Sequence, residues 1–265
     1  MQAFACDLDR TLIGEDAELT PRTRRAIAAA QAAGIRVLVA TGRMFRSVRP
    51  YVERAGLPDP VVCYQGAVVA EPTSGAFLLH EPIPLDLARA AIAALEQAGY
   101  PPNCYVDDEL AVARHTPYSE AYAAFQHLPV SEVGNLLDWL DRDPTKLVAV
   151  GDPAELAALR DRLAPQFDGR LYMTTSLPWL LELGHPGVSK ATGLAFLADR
   201  LGLDPTRIVT FGDGENDVEM IEWAGFGVSV EGGHARLREA ADWICPGPEE
   251  DGVAGVIEAF LHSRR

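Results

Sequence analysis

Short apolar runs alternate with segments of helical period at both ends of this chain, and that alternation leaves few folds open. Runs at 3–6, 35–40 and 60–64 are separated by helical patterns at 21–33 and 46–55. The pattern returns late, with a helix opening at Lys190, a strand at 208–211, a helix at 217–224, a strand at 227–230, a helix at 234–240 and a last helix after Asp251-Gly252. Thr20 is suited to cap the first helix, Pro21 to its first helical position, and Gly34 lies just past its end. Repeated strand-helix units imply a parallel sheet covered by helices on both faces, an α/β architecture.

Between the two arms the texture changes. Val68-Val69-Ala70 and Phe77-Leu78-Leu79-His80, separated by Pro72-Thr73-Ser74-Gly75, read as a hairpin. From Pro82 onward, prolines 82, 84, 101 and 102 mark turns around a helix at 85–98. Strands at 103–106, 110–113, 146–150, 170–174 and 179–183 and helices at 118–126 and 153–163 then give a mixed α+β module. The expected organisation is a core at 1–81, an insert at 82–183 and a returning core at 184–265.

Composition narrows the function classes. A formal charge of −15 over 265 residues opposes nucleic acid and anionic membrane surfaces through its long-range field. No apolar run reaches the length of a membrane span, and Asp7 interrupts the only candidate leader. Cys6, Cys63, Cys104 and Cys245 are widely spaced without a C-x-x-C pair, which fits reduced thiols and a cytoplasmic location. The six histidines lack zinc-binding spacing.

The chemistry-bearing residues sit where strands end. The first strand runs into Asp7-Leu8-Asp9-Arg10-Thr11, two carboxylates able to bind a hard cation and divide the roles of nucleophile and acid/base. The second runs into Thr41-Gly42-Arg43, and the strand at 208–211 runs into Gly212-Asp213-Gly214-Glu215-Asn216-Asp217. Lys190 opens an Ala/Leu-rich helix after Gly187-Val188-Ser189. Taken singly, Lys190 reads as a solvated first-turn lysine, Thr41 as a turn residue and the Asp213 cluster as a helix start. Those readings weaken together, because ligands of open parallel sheets bind beyond the carboxyl ends of the strands and every segment maps there.

These four segments, in order, resemble the motifs of the haloacid dehalogenase-like hydrolases, and the large insert is similar to the type IIB cap of the Cof-type subfamily. The likeness extends along the chain, including Glu182 and Glu250-Asp251-Gly252-Val253. It implies a Rossmann-like parallel-sheet core with an inserted α+β (C2-type) cap, and a Mg²⁺-dependent phosphatase acting on a small phosphorylated metabolite such as a sugar or cofactor phosphate. Asp7 is then expected to be the nucleophile, giving an aspartyl-phosphate, with Asp9 as acid/base. Asp7, Asp213 and the Asp9 backbone carbonyl would hold Mg²⁺. Thr41 and Lys190 would meet the phosphoryl oxygens, Gly42 and Asn216 would line the substrate, and Asp217 would support Lys190 or a metal-bound water. Arg43 reads equally as a phosphate contact or as the partner of a structural carboxylate.

Two positions depart from the family pattern: Arg10 stands where Gly is usual, and Gln65-Gly66-Ala67 where Asn-Gly-Ala is common. The alternatives are a phosphomutase using the same intermediate, or a phosphometabolite-binding protein on a hydrolase fold. The protein is expected as a monomer or small homo-oligomer. Tyr105, Asp107, Asp108, Arg114, Tyr118, Tyr122 and Trp179 are the candidates in the insert for recognising the leaving group.

Overall fold

The computed structural model describes residues 1–14, 17–126, 128–175 and 177–263. The chain divides into two compact units, one of Met1–Gly42, Val48–Leu78 and Ser189–Arg265, the other of Arg43–Ser47 and Leu79–Val188.

The first arm of the first unit carries β1 (Ala3–Cys6) and β2 (Arg36–Val39), which run parallel with Cys6 opposite Val39. β3 (Val61–Cys63) meets the parallel sheet, among the described residues, through a bridge from Val62 to Ala40. It belongs instead to a small sheet ordered β3-β4-β5 with β4 (Val68–Ala70) and β5 (Phe77–His80). The sequence pattern places β3 among the parallel strands; the departure arises at Tyr64, Gln65 and Gly66, whose positive φ values of 51°, 59° and 103° reverse the chain so that β4 returns antiparallel.

The second unit holds a six-stranded sheet built from β6 (Asn103–Val106), β7 (Glu109–Val112), β8 (Val130–Glu132), β9 (Lys146–Val150), β10 (Tyr172–Thr174) and β11 (Leu180–Gly184). Its order is β10-β11-β9-β6-β7-β8. Asp107 and Asp108 join β6 to β7 with positive φ at both, the geometry that a tight hairpin of right-handed twist demands. Strand register sorts the side chains. Cys104, Val106, Leu147, Ala149, Leu181 and Leu183 share one face and build the apolar core with the helices Leu85–Gln97 and Pro153–Phe167. The opposite face carries Asn103, Tyr105, Lys146 and Glu182, all buried. β8 and the short helix Leu136–Trp139 escape sequence patterning because neither is long enough to show a period.

The returning arm supplies β12 (Ile208–Gly212), β13 (Phe226–Val230) and β14 (Trp243–Cys245), completing a parallel sheet ordered β14-β13-β12-β1-β2. β14 is an edge strand whose Trp243 and Ile244 are exposed, which hides it from a burial-based reading. Phe4 of β1 packs against Phe211 at 6.2 Å and Phe260 at 6.0 Å, tying the sheet to the helix Gly252–His262. No helix among the described residues is long and apolar enough to cross a membrane.

Candidate active site

Parallel register brings the functional segments to one edge. Cys6 lies opposite both Val39 and Phe211, so Asp7, Thr41 and Asp213 all follow the carboxyl ends of neighbouring strands. The Asp7 amide donates to the Phe211 carbonyl at 2.9 Å, and the Thr41 amide to the Val62 carbonyl at 2.9 Å. β2 lies on one side of β1 and β12 on the other, so the strand order reverses at β1, where an open sheet leaves a crevice.

Lys190 is the first residue of the helix Lys190–Leu201, and a reciprocal cap fixes its place. The Ser189 hydroxyl accepts from the Thr192 amide, while the Thr192 hydroxyl accepts from the Ser189 amide. From there the Lys190 ammonium, 1% exposed, donates to Asp7 Oδ1 at 2.5 Å and to Asp217 Oδ1 at 2.6 Å. The other Asp217 oxygen accepts the amides of Asp213 and Gly214, each at 2.9 Å. Asp217 therefore orients Lys190 with one oxygen and shapes the Asp213 turn with the other.

The electrostatics are dominated by crowding of like charge. Burial pushes the Asp7 carboxyl well above the usual carboxylate range; Lys190 pulls it down, but Asp217, Asp213 and Asp9 drive it up again. Asp213 is pushed up to about 7 by burial and by Asp217, against the pull of Arg10 and Lys190. Burial works against the Lys190 charge, yet Asp217 and Asp7 outweigh it and hold the amine protonated. Single oxygens of Asp7, Asp213 and Asp217 lie within 4.8 Å of one another. Both Asp217 oxygens have hydrogen-bond donors, so Asp7 and Asp213 are the carboxylates best placed for a cation. A hard, oxygen-preferring divalent ion fits an excess of buried carboxylate charge of this kind.

The remaining expected residues fall into place as follows. Thr41 is buried, Asp9 is half-buried, and the loop after Asp7 is held by the Arg10 amide donating to the Ile13 carbonyl at 2.7 Å. Asn216 Nδ2 donates to Gln65 Oε1 at 3.0 Å, which uses one of its two amide hydrogens. Gly42 gives the Gln65 side chain its room, since a Cβ there would stand 2.3 Å from Gln65 Nε2 and the amide would have to shift. Arg43 groups with the second unit, with Nη1 3.4 Å from Ser47 Oγ and its guanidinium 5.2 Å from the Phe125 ring centroid.

The two departures from the family pattern acquire structural meaning. Arg10 has φ of 63°, a conformation that favours glycine, and its guanidinium reaches Asp213 at 3.2 Å. Gln65, also at positive φ, spends its carbonyl on Asn216. Sequence reasoning marked both positions but not these partners, because neither contact has a local signature. In the second unit Tyr105, Tyr122 and Trp179 come together: the two phenol oxygens are 2.5 Å apart, and Trp179 meets Tyr122 edge to face. Lys146, which the pattern did not single out, joins them, with Nζ 3.0 Å from Glu182 and 5.1 Å from the Tyr105 ring centroid. Its strand alternation was the available signal, since a lysine alternating with Leu147 and Ala149 in a buried strand lies on the face opposite the apolar core and needs a partner there.

Comparison with known proteins agrees with this fold. The family described as haloacid dehalogenase-like hydrolase matches residues 4–257. Over 265 aligned residues, covering 97% of each chain, the sequence is 29% identical to the 5-amino-6-(5-phospho-D-ribitylamino)uracil phosphatase YitU of Bacillus subtilis. It is 28% identical to a phosphoglycolate phosphatase of Methanothermobacter thermautotrophicus, covering 98% of this chain and 99% of that one. Among solved structures, a haloacid dehalogenase-like hydrolase from Bacteroides thetaiotaomicron superposes with a TM-score of 0.87 at 25% identity, covering 98% of this chain and 99% of that one.

Proposed function

The chain belongs to the haloacid dehalogenase-like hydrolases, and from that premise we propose that it is a Mg²⁺-dependent phosphatase that hydrolyses a small phosphorylated metabolite through an aspartyl-phosphate on Asp7. The observation that carries this reading is the buried Lys190 ammonium, bonded to Asp7 Oδ1 and steered by Asp217, beside the Asp213 carboxylate of the adjacent strand. Phosphoryl transfer needs positioning and charge neutralisation more than a strong base, and a preset ammonium next to a carboxylate nucleophile provides both.

In this reading Asp7 attacks phosphorus in line with the leaving oxygen. Lys190 and the Thr41 hydroxyl bind equatorial oxygens, and the spare Asn216 amide hydrogen reaches the same group. Asp9 protonates the departing alkoxide, then takes a proton from the water that releases phosphate from Asp7. Asp7, Asp213 and the Asp9 carbonyl would hold Mg²⁺, which when bound supplies charge neutralisation between carboxylates and a dianionic ester. The named substrates of the relatives differ, so their shared chemistry, a phosphomonoester of a small metabolite, is what carries over. The four cysteines are buried free thiols, which supports a reducing, cytoplasmic setting.

Purified protein assayed for phosphate release from a panel of sugar, cofactor and short-chain phosphates should be active with Mg²⁺ and silent after chelation. Full activity in metal-free protein, or none on any monoester, would overturn the proposal.

A further inference from the structure

We propose that the inserted unit carries a second ligand site, a cavity of about 400 Å³ that takes a small organic carboxylate with an apolar body. Its walls come from the start of β6, the ends of β7 and β9, and the turns beside them. None of the carboxylates, hydroxyls or amines assigned above to phosphate chemistry lines it.

The first observation is a buried donor with nothing to donate to. Asn103 is 3% exposed, and its Nδ2 has no hydrogen-bond partner. Leaving an amide N–H₂ buried and unpaired is costly, and folded chains rarely do so without a ligand or water to meet it. Register shows which way it faces. Cys104 pairs with Ala111 and Asn103 with Val148, so Asn103 shares a sheet face with Val112, Val148 and Val150. Val112 and Val150 line the cavity, and Asn103 is on that side.

The second observation is a cation without an anion. Arg114 lines the same cavity, is exposed, and has no hydrogen-bonding or ion-pair partner among the described residues. Tyr118, 60% exposed, adds a phenol ring and hydroxyl, and Pro101, Pro102 and Val112 give an apolar wall. An amide donor and a guanidinium facing one space call for a carboxylate or a phosphate. Glu155 decides between them: it stands in the cavity wall with its Oε2 accepting from the Tyr100 hydroxyl, and its charge penalises a dianion more than a monoanion. The polar and apolar surfaces together fit a carboxylate on a hydrophobic or aromatic body.

The test is calorimetric titration of the full-length protein with benzoate, with benzyl alcohol as the uncharged control. Benzoate should bind with one-to-one stoichiometry and benzyl alcohol at least about tenfold more weakly. Arg114→Gln, at an exposed and unpaired position, should weaken benzoate at least about tenfold and leave benzyl alcohol unchanged. Asn103→Ala should do the same, and should keep the parent rate of p-nitrophenyl phosphate hydrolysis when benzoate is absent. Failure of benzoate to bind at millimolar concentration, equal binding of benzyl alcohol, or benzoate affinity indifferent to Arg114→Gln would each overturn the proposal.

Discussion

Lys190 is an ammonium removed from water, and its two carboxylate partners are what make that removal tolerable. The same crowding gives each acid a separate role that substitution can expose. Asp7→Asn should abolish phosphate labelling of the protein and phosphate release together. Asp9→Asn should slow an alkyl phosphate by at least about 10²-fold, the usual lower range for lost acid assistance. With p-nitrophenyl phosphate, whose phenolate leaves unaided, it should give a burst near one equivalent and accumulate phosphate on Asp7, measured by rapid quench. Labelled Asp7→Asn and unlabelled Asp9→Asn would reverse the assignment. Asp213 supplies a test independent of turnover. Its carboxyl titrates near 7 in the fold against 3.8 ordinarily, so the native state holds an extra proton between those values. The stability this contributes is full below the ordinary value and is lost as pH rises through about 7. Asp213→Asn should therefore melt at least about 2 °C higher than the parent at pH 8 without metal, and the gap should narrow by pH 5 and close only as pH falls towards 3.8. Mg²⁺ should raise the melting temperature of the parent at pH 8 and leave Asp213→Asn unmoved in scanning calorimetry.

At the scale of elements, the turn after β3 and the helix that begins at Lys190 are fitted to each other. Gly66 has φ of 103°, and a Cβ there would stand 1.9 Å from the Ser189 carbonyl oxygen. Gly66→Ala should cost at least about 2 kcal/mol in urea unfolding, because a strained φ and a backbone collision act together. Activity should fall as well, since Ser189 caps the helix that presents Lys190. The parallel strands and most of these helices were legible because apolar period and cap residues are local signals, as at Thr20-Pro21. The convergence of Asp7, Thr41, Lys190 and Asp213 was legible through the rule that strand ends share an edge. The pairing of Arg10 with Asp213, the bond from Asn216 to Gln65 and the seating of β3 in an antiparallel sheet were not. Each depends on positive φ values at residues other than glycine and on contacts across long sequence separations, and neither leaves a periodic trace.

For the whole molecule, the two units divide the available chemistry. Every carboxylate, hydroxyl and amine assigned to phosphoryl transfer belongs to the first unit, and Arg43, two residues beyond Thr41, is grouped with the second. The second unit places Tyr105, Lys146 and Glu182 on a buried sheet face, with Tyr122 of the helix Pro117–Gln126 against it, where apolar residues would pack more cheaply. If the insert selects the leaving group while the core performs the transfer, that polar face is the part of the insert in which selection would reside. Replacing residues 82–183 by the corresponding segment of a relative with a different substrate should then reorder the ranking of sugar, cofactor and short-chain phosphates, measured as kcat/KM. Acetyl phosphate offers almost nothing for an insert to recognise, so its hydrolysis should stay within about tenfold of the parent, a difference of ~1.4 kcal/mol in transition-state stabilisation. Lys146→Met paired with Glu182→Met makes the same test without exchanging backbone: removing both charges avoids stranding one of them, so the fold should hold while the ranking shifts. A ranking unchanged by both alterations, with acetyl phosphate still turned over, would place substrate choice in the loops around Thr41 and Gln65.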